Sequence, residues 1–165
     1  MSSILRLLSR PAFQFSPALR VASFGLLSTL SLAIPLHATA DLSTPEALAQ
    51  LELRASQAGP REQCYLYTEL VHGMTVKAGK EISDGETEQA AATLKQVNRY
   101  AHLIHLNLAR DTKRLKNAEL LMHNTTYHLA QYLHLVSGDD KKTVQETLKQ
   151  LDQVNDEILT QVFNH

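Results

Sequence analysis

The chain has one cysteine, Cys64, and no tryptophan. A single thiol excludes an internal disulfide even in an oxidising compartment, and it excludes the Cys-x-x-Cys redox and haem-attachment motifs. From Glu86 to Ser137 there is neither glycine nor proline, so no turn signal interrupts that stretch. Strand signals are missing as well: apolar and polar residues do not alternate, and no Val/Ile/Thr runs lie between turns. No Gly-rich phosphate loop and no Gly-x-Ser-x-Gly elbow is present. These absences leave a helical chain without a recognised catalytic motif.

Acidic residues are absent from the opening MSSILRLLSRPAFQFSPALR, which carries Arg6, Arg10 and Arg20. The apolar run VASFGLLSTLSLAIPL follows, then Ala38-Thr39-Ala40. A basic start, an apolar middle and a small-x-small end are the three parts of a secretory signal peptide. A membrane-spanning helix needs about 20 apolar residues, and this run is shorter and contains serines and Pro35. The reading is therefore a signal peptide over residues 1–40, cleaved after Ala40, and one domain over 41–165. The protein is expected in the periplasm or secreted, with no membrane span after cleavage. Without its first 40 residues the chain keeps 13 basic against 17 acidic residues, a net charge of −4. That balance argues against nucleic acid or an anionic membrane as partner.

What is present is helical periodicity. Ser43-Thr44-Pro45-Glu46 starts a short helix with Leu48, Leu51 and Ala55 on one side. Gly59-Pro60 ends it and opens a second, over about 61–82, whose stripe is Cys64, Tyr67, Val71, Met74, Ala78 and Ile82. On that stripe Cys64 reads as a small buried apolar residue; a link between chains and a reactive thiol are the alternatives. Gly73 and Gly79 cost this helix roughly 1 kcal/mol each relative to Ala, a cost usually offset by closer approach of a neighbour. Ser83-Asp84-Gly85-Glu86 is a turn.

Beyond the turn the stripe runs Ala90, Leu94, Val97, Ala101, Ile104, Leu108, Asp111, Leu115, Ala118, Met122, Thr125, Leu129, Tyr132, Val136. Its steps alternate four and three without a slip, a heptad pattern. The simplest account is one continuous helix over about 86–136, roughly 75 Å long at 1.5 Å per residue. Its weak point is Arg110-Asp111-Thr112-Lys113, where the stripe turns polar. Gly138 supplies a stop and Asp139 a cap for a last helix over about 141–163, with Val144, Leu148, Leu151, Val154, Ile158 and Val162. The expected fold is all-α: hairpins on one long central helix, the 61–82 helix covering its first half and the C-terminal helix its second. Leu103, Leu106, Leu120, Leu121 and Leu135 lie off the seam, so the long helix needs cover on more than one side. The short first helix supplies part of it, and a homodimer along the long helix is one source of the rest.

The stretch TLKQVNRYAHLIHLNLARDTKRLKNAELLMH, with Thr112-Lys113-x-Leu115-Lys116-Asn117-Ala118-Glu119 and the closing Gln161-Val162-Phe163-x-His165, resembles exported all-helical proteins of soil acidobacteria. The likeness covers most of the chain after the signal peptide and implies an exported helical protein. It brings no activity, cofactor or site residue with it. Tyr67, Ala78, Ala90-Ala91 and Tyr100 give a fainter resemblance to tetratricopeptide helix pairs, but the helices are too long for that repeat.

Candidate chemistry is confined to histidine, glutamate and methionine. In TELVHGM, Glu69 and His72 are three apart and share a helix face. A carboxylate-bridged di-iron bundle needs two such pairs and two further glutamates; only one pair is present. Glu119 and His123 are spaced i,i+4 as a workable second pair, and Met74 and Met122 offer thioethers that favour copper(I). On the long helix His102, His105, Glu119 and His123 share one edge beside the seam. His102 and His105 are a turn apart, while Glu119 is about 20 Å or more away along the axis. Two antiparallel chains crossing near Asp111 and Thr112 would join the two pairs; within one chain, Glu69 and His72 would instead meet His102 or His105, with Met74 as a soft fourth ligand. The alternative at every one of these positions is a polar flank satisfied by neighbours or water. Arg110, Lys113, Arg114 and Lys116 form a basic patch read as a solvated face, or as partners of Asp111 and Glu119.

The functional expectation is an exported, non-enzymatic helical protein that binds another protein or itself, with no cofactor. The alternative is a periplasmic metal-binding bundle, a transition metal held by Glu69, His72, Glu119 and His123.

Overall fold

The computed structural model describes residues 41–108 and 113–164. The expected signal peptide over 1–40, the weak-point residues Arg110, Asp111 and Thr112, and His165 lie outside the described residues. Five α-helices and one short 3-10 turn make up the rest: α1 Pro45–Gln57, α2 Pro60–Ser83, α3 Thr87–Leu106, α4 Leu115–Ala130, the turn Gln131–His134, and α5 Gly138–Phe163. No strand occurs among the described residues. The fold is an all-α helical bundle.

Local chemistry sets most helix ends. The Thr44 hydroxyl caps α1 by accepting from the Ala47 N–H at 3.3 Å, and proline stands in the first turn of both α1 and α2. Proline fits there because its missing N–H has no partner in a helix start anyway. Gly85 (φ 79°) and Gly138 (φ 57°) take left-handed conformations that few other residues tolerate. They close the α2–α3 turn and start α5, which therefore begins three residues earlier than its stripe predicts.

The long helix is not continuous. Asn107 ends α3 by donating its side-chain amide to the Leu103 carbonyl at 2.7 Å, which competes with continuation of the backbone ladder. The chain re-enters a helix at Leu115 after Arg114, which sits in the left-handed region at φ 61°. The physical reason for the break is cover. α2 has 24 residues and α5 has 26, about half of what a 75 Å helix requires at 1.5 Å per residue. Folding the second half back puts both halves against α2 and α5, where they bury far more apolar surface. Both halves of the stripe are buried, Ala90 to Ile104 in α3 and Leu115 to Leu129 in α4, so the same heptad pattern served two helices.

Contacts across the interfaces define the arrangement. Tyr67 of α2 stacks on Tyr100 of α3 at 5.9 Å, and Lys77 donates to Thr93 at 3.1 Å, so α2 and α3 are antiparallel. The Lys113 N–H donates to the Arg61 carbonyl at 2.8 Å and His72 meets Thr125 at 2.9 Å; α4 thus runs parallel to α2. Asn98 donates to Thr147 at 3.1 Å and His105 meets Glu157 at 2.6 Å, which makes α5 parallel to α3. α2 touches α3 and α4, α5 touches the same two, and neither diagonal pair is in contact. The result is a four-helix bundle in the order α2, α3, α5, α4, with α1 laid against α2. The expected division, one covering helix for each half, is corrected: α2 and α5 each cover both halves.

The two helical glycines earn their place by close approach. A Cβ on Gly73 would lie 2.7 Å from the Leu42 carbonyl oxygen, where the chain enters α1, and one on Gly79 would lie 2.4 Å from the Tyr132 ring.

Candidate functional site

α2 places the TELVHGM segment in the middle of the bundle, but its polar side chains go to different neighbours. Glu69 lies beside the Tyr65 hydroxyl one turn back, and burial, then that carboxylate, raise the Tyr65 pKa. His72 turns to α4. The Thr125 hydroxyl there donates to the Leu121 carbonyl at 2.7 Å, so its oxygen accepts from His72 Nδ1–H at 2.9 Å. This leaves His72 Nε2 with its lone pair. Burial, and then the nearby His128, lower the His72 pKa and favour that neutral ring. Met74 is buried beside Leu48 at the α1 junction, and Met122 is fully buried in the core.

The expected meeting of Glu69 and His72 with His102 or His105 does not occur. A helical period fixes which residues share a face, not which neighbour that face meets. His72 lies on the flank of α2 that meets α4, whereas His102 and His105 turn to α5. Glu119 is half-buried and His123 exposed on α4, and neither joins His72. Among the described residues no three His, Cys, Asp or Glu side chains are gathered as a ready ligand set.

His102 and His105 do come together, in an open groove of about 360 Å³ between α3 and α5. Their rings lie nearly parallel, centroids 6.0 Å apart and planes inclined by 21°. His105 Nδ1 bonds Glu157 Oε2 at 2.6 Å, and Gln153 donates to the other oxygen, Oε1, at 3.2 Å. The groove wall is built by cross-links from α5 to α3: Asn98 to Thr147, and Gln150 to the Asn98 backbone carbonyl at 2.8 Å. Glu157 and Gln153 are the residues that sequence reasoning missed. Their i,i+4 spacing beside the Val154 and Ile158 stripe was the available signal, but it names no partner on α3.

The basic patch is tied to α2 instead of standing free. Lys113 pairs with Glu62 at 3.0 Å, and the Arg114 guanidinium sits 3.5 Å over the Tyr65 ring, so these two find partners on α2; the expected pairing with Asp111 falls outside the described residues. These groups and Arg54 line a second cavity of about 180 Å³. Cys64 is fully buried, and burial pushes its thiol up to about 12; it is a core residue and a poor nucleophile. Tyr100 is also pushed up to about 12, by burial and by donating to Glu52.

No protein-family model, curated protein or solved structure matches the chain. Among the described residues no helix is long and apolar enough to cross a membrane.

Proposed function

We propose that this is an exported, non-enzymatic helical protein that acts by binding another protein or a second copy of itself. The observation that carries the reading is the outer face of α4. Leu120 and Tyr127, two turns apart on that helix, are 59% and 63% exposed, and among the described elements α4 is covered only by α2, α5 and the turn that follows it. Large apolar side chains paired on an uncovered helix face are the usual raw material of a helix-docking surface. Export rests on the three-part N-terminal pattern and on the resemblance to exported helical proteins.

The test is a photo-crosslinking residue at position 127 in the protein expressed in its own host, with light scattering of the purified chain. A discrete crosslinked species, lost when Leu120→Asp is added, supports the reading. A strict monomer with no crosslink at position 127 overturns it. Intact mass of the purified protein should correspond to a chain beginning at Asp41; a retained N-terminus would remove the export claim. The metal-binding reading built on Glu69, His72, Glu119 and His123 has less behind it, because among the described residues these four are not gathered into a ligand set.

A further inference from the structure

We infer that the groove between α3 and α5 is a transition-metal site, in which His102 and His105 ligate one divalent ion and Glu157 orients His105. The reasoning is independent of the docking face on α4. In metal centres the ligating histidine characteristically gives its second ring N–H to a carboxylate, which fixes the tautomer, aims the ring and raises its basicity. His105 has that partner already: its Nδ1 is 2.6 Å from Glu157 Oε2. A carboxylate only accepts, so Nδ1 donates and Nε2 of the neutral ring is left as a free lone pair. Glu157 is itself held by Gln153, so the orienting carboxylate is positioned from its own helix.

The second ligand stands one turn away. His102 and His105 are related by i,i+3 and project from the same side of α3. Their centroids are 6.0 Å apart, a span that one ion closes with metal–nitrogen bonds of about 2.1 Å once the exposed His102 ring turns its edge to the side where His105 presents Nε2. The groove of about 360 Å³ leaves room for water in the remaining positions. Two imidazoles and water form a borderline ligand set. Such a set takes copper(II) most tightly among the divalent first-row metals and zinc(II) less so.

The experiment is titration of the untagged protein with copper(II) and with zinc(II), read by calorimetry and, for copper, by electron paramagnetic resonance. The expected result is one equivalent of saturable binding with two nitrogen ligands. His102→Ala and His105→Ala should each weaken it by at least about tenfold, and Glu157→Gln by about 10- to 100-fold, the range for loss of an orienting carboxylate. His123→Ala, on the exposed side of α4, should leave it unchanged. All four positions are exposed or half-buried; circular dichroism checks that each variant folds, with His105→Gln replacing any alanine variant that does not. Binding that survives loss of both His102 and His105 overturns the site, as does equal weakening by His123→Ala. Glu157→Gln with wild-type affinity and an unchanged copper spectrum overturns the role given to Glu157.

Discussion

α2 and α4 lie side by side and parallel, yet they live in different surroundings. α2 buries 13 of its 24 residues and α4 buries 6 of 16. The cause is the number of neighbours: α2 is held by α1, α3, α4 and the 3-10 turn, whereas α4 is held by α2, α5 and that turn alone among the described elements. A helix with four neighbours has little outer face left, so even Thr68, Thr75 and the glycines are buried in α2. α4 keeps a face with no partner among the described residues, and that face carries Leu120 and Tyr127. Composition alone would not separate the two helices. The difference is made by topology, because the break at 107–114 returns the chain to α2 after α1 and α3 have already covered it.

The largest effect should come from truncating one leucine on each helix. Leu70 on α2 is fully buried and Leu120 on α4 is mostly exposed. Leu70→Ala should cost roughly 2–5 kcal/mol in urea unfolding, through lost burial and the cavity left behind. Leu120→Ala should stay within about 0.5 kcal/mol, as surface changes usually do. Similar losses at the two sites would erase the contrast between a gripped helix and a half-covered one.

A smaller effect tests how closely α2 is gripped at its end. Alanine at Gly79 gains roughly 1 kcal/mol of helix propensity, but its Cβ meets the Tyr132 ring at 2.4 Å. Overpacking of this kind costs about 1–3 kcal/mol, so Gly79→Ala should be net destabilising by up to about 2 kcal/mol. In a Tyr132→Ala background the clash is gone and the same change should become neutral or favourable. A double-mutant cycle reads that sign reversal; additive effects would mean the ring moves aside freely.

How much of this was legible beforehand follows from what periodicity encodes. The stripes of α1 and α2 and the two halves of the long stripe are buried as their spacing predicts, because a 3.6-residue period depends only on which face is apolar. Asn107 was not legible as a stop: asparagine ends helices by side-chain capping, and it does so here between segments with no glycine or proline. The heptads ran through the break because two antiparallel halves each need an apolar face, and eleven residues from Ile104 to Leu115 happen to preserve the phase. The histidine pair His102 and His105 was visible as a pair. Its partner Glu157 was not, since only the tertiary pairing of α3 with α5 brings residues 52 positions apart together.

The smallest effect is the most local and concerns the one histidine wedged between the two compared helices. His72 has its pKa lowered, first by burial and then by His128. Unfolded, the ring titrates near its ordinary value of about 6.5, so below that pH the unfolded state binds more protons than the folded one. Stability contributed by the neutral, half-buried ring is therefore complete above about 6.5 and declines as pH falls through the unfolded value towards the lowered folded one. Melting temperatures measured from pH 7.5 down to pH 5 should drop more for the wild type than for His72→Gln, which keeps a donor for Thr125 but does not titrate. Other histidines and carboxylates titrate in both proteins alike, so the difference between the two curves isolates His72. Parallel curves would mean that water reaches the ring freely, and that the α2–α4 interface is looser around Thr125 than the 2.9 Å contact implies.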